Sequence, residues 1–126
     1  MNANALSVSL TVKDVRASLA WYRDVLGFAI AQEYERGGAL RAVSLSAGVA
    51  RLLLSQDDGA KGSDRAKGEG ISFMLTTAES IDAIATRAKA AGAVLDSEPA
   101  DAFGRRAFRL RDPDGFRIAI SSEQHT

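Results

Sequence analysis

The chain has 126 residues, enough for one ordinary domain with its own core. Its 16 Lys and Arg balance 16 Asp and Glu, so no electrostatic drive toward nucleic acid or an anionic membrane is expected. With no cysteine it can form no disulfide, thiolate nucleophile or Cys-based metal site, and its single histidine, His125, is next to last, where a solvated tail residue is expected.

The opening residues lack a basic segment followed by an apolar run, and no stretch reaches the ~18 apolar residues of a membrane span. These observations predict a cytoplasmic protein. Leu6, Val8, Leu10 and Val12 alternate with Ser7, Ser9 and Thr11, the pattern of a half-buried strand. Asp14 is placed to cap a helix whose buried stripe is Val15, Ser18, Leu19, Tyr22, Val25 and Leu26, and Gly27 ends it. Three antiparallel strands are expected near residues 28–35, 40–46 and 50–56. Residues 57–70 contain four glycines and no large apolar side chain. Such a segment predicts a flexible linker, either a joint or a lid.

The order then repeats. Ile71, Phe73 and Leu75 alternate with Ser72, Met74 and Thr76. A helix is expected over residues 78–91, with Ile81, Ile84, Ala85 and Ala88 inward and Gly92 at its end. Strands follow near residues 93–97, 106–111 and 116–122, the last two joined by an Asp112-Pro113-Asp114-Gly115 turn of type I. Gly27 and Gly92 lie 65 residues apart, as do Asp14 and Glu79, and residues 50–55 align with 116–121 at an offset of 66. Agreement at caps, helices and final strands indicates an internal duplication. The expected architecture is α+β: one domain over residues 1–126, with βαβββ modules at 5–56 and 70–122 and a linker at 57–69.

Two segments resemble the vicinal oxygen chelate superfamily, which includes glyoxalase I, extradiol dioxygenases, and fosfomycin and bleomycin resistance proteins. Residues 10–28, reading LTVKDVRASLAWYRDVLGF, are similar to its opening strand and helix. Residues 111–118, reading RDPDGFRI, are similar to its closing hairpin. The resemblance implies two modules curving into a cup, with helices on the convex side and a ligand in the concave side. It also implies a homodimer with a small organic molecule as its partner. Metal-dependent members take ligands from the first and last strands of each module. The corresponding positions here are Ser7, Leu53, Ser72 and Ala119, with Glu69 as the nearest carboxylate. Two hydroxyls, an isobutyl and a methyl do not make a divalent-metal site, so neither a metal nor another cofactor is expected.

Strand alternation places Ser7, Ser9, Arg51 and Leu53 on the cup face of the first half, and Ser72, Met74, Arg117 and Ala119 on that of the second. Arg51 and Arg117 are repeat partners, readable as anchors for an anionic or carbonyl group or as solvated rim residues. Phe103 lies in a loop and could stack on a ligand or pack beneath that loop. Trp21 is expected to fill core or interface, with a ligand pocket as the other reading. The arginines at 105, 106, 109 and 111 read as a charge-balanced surface. No base is forced beside any serine, so no catalytic residue is assigned. The expected function is metal-independent binding of a small molecule, such as sequestration of an antibiotic or metabolite. A metal-free lyase, isomerase or dioxygenase-like enzyme is the alternative, and a structural dimer with a vestigial cup is a third.

Overall fold

A computed structural model describes residues 1–62 and 66–124; His125 lies outside the described residues. The first module comprises β1 (Ser7–Val12), α1 (Val15–Leu26), β2 (Ala29–Arg36), β3 (Ala39–Ala47) and β4 (Ala50–Gln56). The second comprises β5 (Ser72–Thr77), α2 (Ile81–Ala90), β6 (Leu95–Ala102), β7 (Arg105–Arg111) and β8 (Arg117–Ser122). Each module builds a four-stranded sheet, ordered β1-β4-β3-β2 and β5-β8-β7-β6. The first and last strands of each module pair in parallel and the others antiparallel. Ser7 lies opposite Arg51, and Ser72 lies opposite Arg117. These pairs are related by the offsets read from the sequence, so the duplication extends to strand register.

Alternation produces this arrangement because one parity of every inner strand is apolar. Leu10, Val12, Val43, Leu45, Leu52 and Leu54 are buried against α1, and Phe108, Leu110, Ile118 and Ile120 are buried in the second module. Both sets belong to one continuous cluster, and the two helices also touch each other. Asp14 accepts from the Arg16 and Ala17 amides and so caps α1. Gly27 ends the helix at φ 73°, a left-handed conformation that glycine takes without a Cβ penalty.

Two elements differ from expectation. Helix α2 begins at Ile81, not near residue 78, because the Ser80 hydroxyl accepts from the Ala83 amide and acts as the cap. Strand β6 runs on to Ala102, through a stretch read as loop. Pro99 falls within a register irregularity between Ser97 and Ala100, and β6 is an edge strand, where a missing N–H is tolerated.

The modules are joined by the turn between β7 and β8. Tyr22 of α1 is fully buried, and its hydroxyl donates to Asp112 Oδ2 at 2.7 Å. Asp112 Oδ1 accepts from the Asp114 and Phe116 amides, both at 2.9 Å. Asp114 in turn accepts from the Lys13 amide and the Ser18 hydroxyl. The described part of the linker is held at both ends. Lys67, whose side chain is 3% exposed, pairs with Asp57 at 2.6 Å. The backbone of Gly68 presses against Phe116, where an added Cβ would stand 2.8 Å from the ring. These contacts replace the flexible linker expected from composition with an anchored one over the described residues.

Two outcomes follow. Gly68→Ala meets both the Phe116 contact and a φ of +75°; it is expected to lower unfolding free energy by about 1–3 kcal/mol in urea titration. Burial holds the Asp112 carboxyl above its usual range, against the opposing hydrogen bonds from Tyr22, Phe116 and Asp114. The folded protein therefore binds this proton more tightly than the unfolded chain. The resulting stabilisation is present in acid, below the unfolded value of about 3.9, and is lost as pH rises through the folded value. Asp112→Asn removes this titration, keeps one oxygen for the two turn amides and turns Tyr22 from donor to acceptor, so its stability relative to wild type should rise as pH climbs from about 4 toward 7. A melting-temperature difference that stays flat over this range would refute the assignment.

Candidate functional site

The non-core parity of the first sheet carries hydroxyls. Ser7, Ser9 and Thr11 on β1 lie beside Arg51, Leu53 and Ser55 on β4, and Leu53 and Arg51 lie beside Ser44 and Ser46 on β3. Ser7, Tyr34, Ser44, Arg51 and Leu53 line a concavity of about 670 Å³. That volume suits a small organic molecule. Tyr34 and Ser44 were not singled out from sequence. Their alternation with core residues was the available signal, but it does not say how far along the sheet a depression extends. Arg51 lines the concavity while its Nη1 donates to the Gly48 carbonyl at 2.6 Å and to the Ala50 carbonyl at 3.1 Å.

The second sheet presents a different face. Ser72 lies beside Arg117, Met74 beside Ala119, and Thr76 beside Ser121. Arg111 lies opposite Arg117, and Arg109 opposite Ala119. Ala119 is only 1% exposed although its side chain is on the face away from α2. Met74 is 50% exposed and lines a separate crevice of about 700 Å³ between the modules, with Phe28, Val49, Ile84 and Glu123. The nine residues singled out from sequence are thus divided. Ser7, Ser9, Arg51 and Leu53 share one sheet face, and Ser72, Met74, Arg117 and Ala119 share another.

Phe103 belongs to neither face. It occupies, with Gly104, the two-residue turn between β6 and β7, at φ 53° and 77° respectively, as a primed hairpin turn requires. It is 96% exposed, so it packs beneath nothing in this chain. Trp21 is partly buried against the core, edge-on to Tyr22 at 4.9 Å, which is the core-filling role.

The four positions corresponding to the superfamily's ligands do not fit a divalent metal. In register Leu53 neighbours Ser9, and Ala119 neighbours Met74, so moving one step along either strand still supplies no imidazole or carboxylate. Glu69 is exposed, and no group of three or more His, Cys, Asp or Glu side chains converges among the described residues.

Residues 5–120 match the family model of the glyoxalase/bleomycin resistance protein/dioxygenase superfamily. The chain belongs to that superfamily. No curated protein matches it. Among solved structures this superfamily member is similar to TioX from Micromonospora sp. ML1, with a TM-score of 0.79 and 21% identity over 98% of this chain and 100% of that one. It is similar to TnmS3, an antibiotic binding protein from Streptomyces sp. CB03234, with a TM-score of 0.76 and 17% identity over 98% of both chains. It is also similar to lactoylglutathione lyase from Agrobacterium tumefaciens, with a TM-score of 0.69 and 23% identity over 96% of this chain and 95% of that one. At these identities the likeness is one of fold.

The turn geometry yields a further expectation. Phe103→Asn places a residue that tolerates positive φ at a position where no Phe contact is lost. It should raise unfolding free energy by about 0.5–1 kcal/mol in urea titration.

Proposed function

We propose that this superfamily member binds a small organic molecule without a metal, as a sequestering protein for an antibiotic or metabolite. The observation that carries the reading is the hydroxyl-lined concavity of about 670 Å³ on the first sheet, placed where the superfamily's ligand positions hold Ser7 and Leu53. Serines and a tyrosine can orient a ligand's polar groups while Leu53 contacts its apolar surface. They supply no general base, and no nucleophile with an activating partner is present among the described residues of that face. The antibiotic-binding name of TnmS3 agrees with this reading.

The proposal includes a cytoplasmic homodimer. Strand β2 is exposed along its whole length, and Leu6, Ile30, Tyr34, Ile71 and Met74 leave large apolar side chains in solvent. A second copy of the chain would cover such surface and close the concavity. Sedimentation at micromolar concentration should show a dimer.

The test of binding is a thermal-shift screen with aromatic natural products, run with and without EDTA. A hit at about 100-fold over its dissociation constant adds roughly 2.7 kcal/mol. The melting temperature should therefore rise by several degrees, equally in EDTA, and Leu53→Trp should abolish the rise while the protein remains folded. Near-stoichiometric Fe, Zn, Ni or Mn in the purified protein, with loss of activity on its removal, would overturn the metal-independent reading.

A further inference from the structure

Five arginines lie on β7 and β8; two of them are charge-balanced by carboxylates and a third is held by neutral acceptors. Arg105 donates to Gln124 and the Ser122 carbonyl, Arg106 pairs with Asp82 and Asp101, and Arg111 pairs with Asp96 at 3.0 Å. The guanidinium groups of Arg109 and Arg117 have no hydrogen-bond or ion-pair partner among the described residues.

Register gathers the unpartnered pair. Arg109 and Arg111 are two residues apart on β7 and share a face, and Arg117 on β8 lies directly opposite Arg111. Phe108, Leu110 and Ile118 are buried on the other side, so all three arginines project away from the core. Like charges directly opposite across antiparallel strands are destabilising unless something neutralises them. Among these three guanidinium groups only that of Arg111 has a carboxylate, Asp96, at 3.0 Å. The neighbouring positions are a hydroxyl, Ser72 beside Arg117, and a methyl, Ala119 beside Arg109. The Ala119 methyl is covered, whereas Ser72 is exposed and adds a neutral donor beside Arg117. Guanidinium groups bind carboxylate and phosphate oxygens in pairs of parallel hydrogen bonds.

We propose that Arg109, Arg111 and Arg117, with Ser72, form an anion-binding subsite on the second sheet that takes the carboxylate or phosphate group of an organic ligand. The two halves of the duplicated chain then recognise different chemistry. The concavity of the first sheet offers hydroxyls and an apolar floor, and the arginine that lines it, Arg51, donates to backbone carbonyls. The second offers unneutralised positive charge. The organic part of the ligand rests on the small-molecule reading given above, whereas the anion contact rests on the arginines.

The test is a titration of the whole protein at low salt with benzoate, phenyl phosphate, inorganic phosphate and neutral benzamide, followed through the arginine Nε–Hε resonances. The three anions should shift the Arg109 and Arg117 signals saturably, and added salt should weaken them. Arg109→Gln and Arg117→Gln should each weaken benzoate at least tenfold, while Arg51→Gln changes it less than twofold. Arg117→Gln removes one of two opposed like charges, so its melting temperature should hold or rise, which separates lost binding from lost fold. If benzamide binds as well as benzoate, or Arg51→Gln is as damaging as Arg117→Gln, the anion subsite is refuted while small-molecule binding survives. If no anion shifts Arg109 or Arg117, the subsite is likewise refuted. If inorganic phosphate binds through both arginines and neither aromatic anion binds more tightly, the subsite stands and the organic-ligand reading falls.

Discussion

The hydrogen bond from Tyr22 to Asp112 is the constraint on which the arrangement of the molecule depends. A carboxylate buried without a cation is costly unless its oxygens are all satisfied. Asp112 meets that condition with two amides of its own turn on one oxygen and a phenol from the other module on the second. The turn can be satisfied only when α1 is docked against it. Asp114 adds the Lys13 amide and the Ser18 hydroxyl, so one turn of the second module grips both the start and the middle of the first module's helix. Burial raises the Tyr22 phenol above its usual range, as does the Asp112 carboxylate, so it remains a donor at physiological pH. The relative position of the two sheets, and hence of the two ligand-facing surfaces, follows from this joint.

The linker reinforces the same joint. Asp57 follows β4 directly, and Lys67 returns to it from ten residues further on. Gly68 then packs on Phe116, the residue that ends the Asp112 turn. The chain is thus fastened around one corner of the molecule, while the free edges of β1 and β5 and the whole of β2 are left open. Stability is concentrated between the helices and the turn, and the sheet faces that could meet a ligand contribute little to it.

Much of this was legible in the sequence because it rests on short-range rules. Alternation at Leu6–Val12 and Ile71–Thr76 gave the strand faces, Asp14 and Gly27 gave the ends of α1, and the offsets of 65 and 66 gave the equivalence of Ser7 with Ser72 and Arg51 with Arg117. What escaped was set by side chains meeting from distant segments. The start of α2 depended on which of Glu79 and Ser80 turned its oxygen to the helix. The reach of β6 depended on a bulge that accommodates Pro99. Composition made the linker appear loose because the burial of Lys67 is invisible without its partner. The two cup-facing arginines looked equivalent, and only the structure separates Arg51, bound to its own turn, from Arg117, which is not. Tyr34 and Ser44 join the first face through cross-strand register, which a single sequence does not specify.

The parity of the strands has a consequence for how such a chain can change over generations. Along β1, β4 and β5 core-facing and outward-facing residues alternate, so most outward positions there are separated from the packing that holds the fold, whereas on β8 the outward Ala119 and Ser121 are buried as well. Duplication then supplies two such surfaces on one scaffold. Substitutions on one can accumulate without disturbing the other or the joint between them. The outward faces of the two sheets differ in this way, with Ser44 and Ser46 on β3 and Arg109 and Arg111 on β7, and that difference is compatible with one shared scaffold. It also marks the positions of even and odd register at which a library of variants could explore new ligands while leaving the protein able to fold.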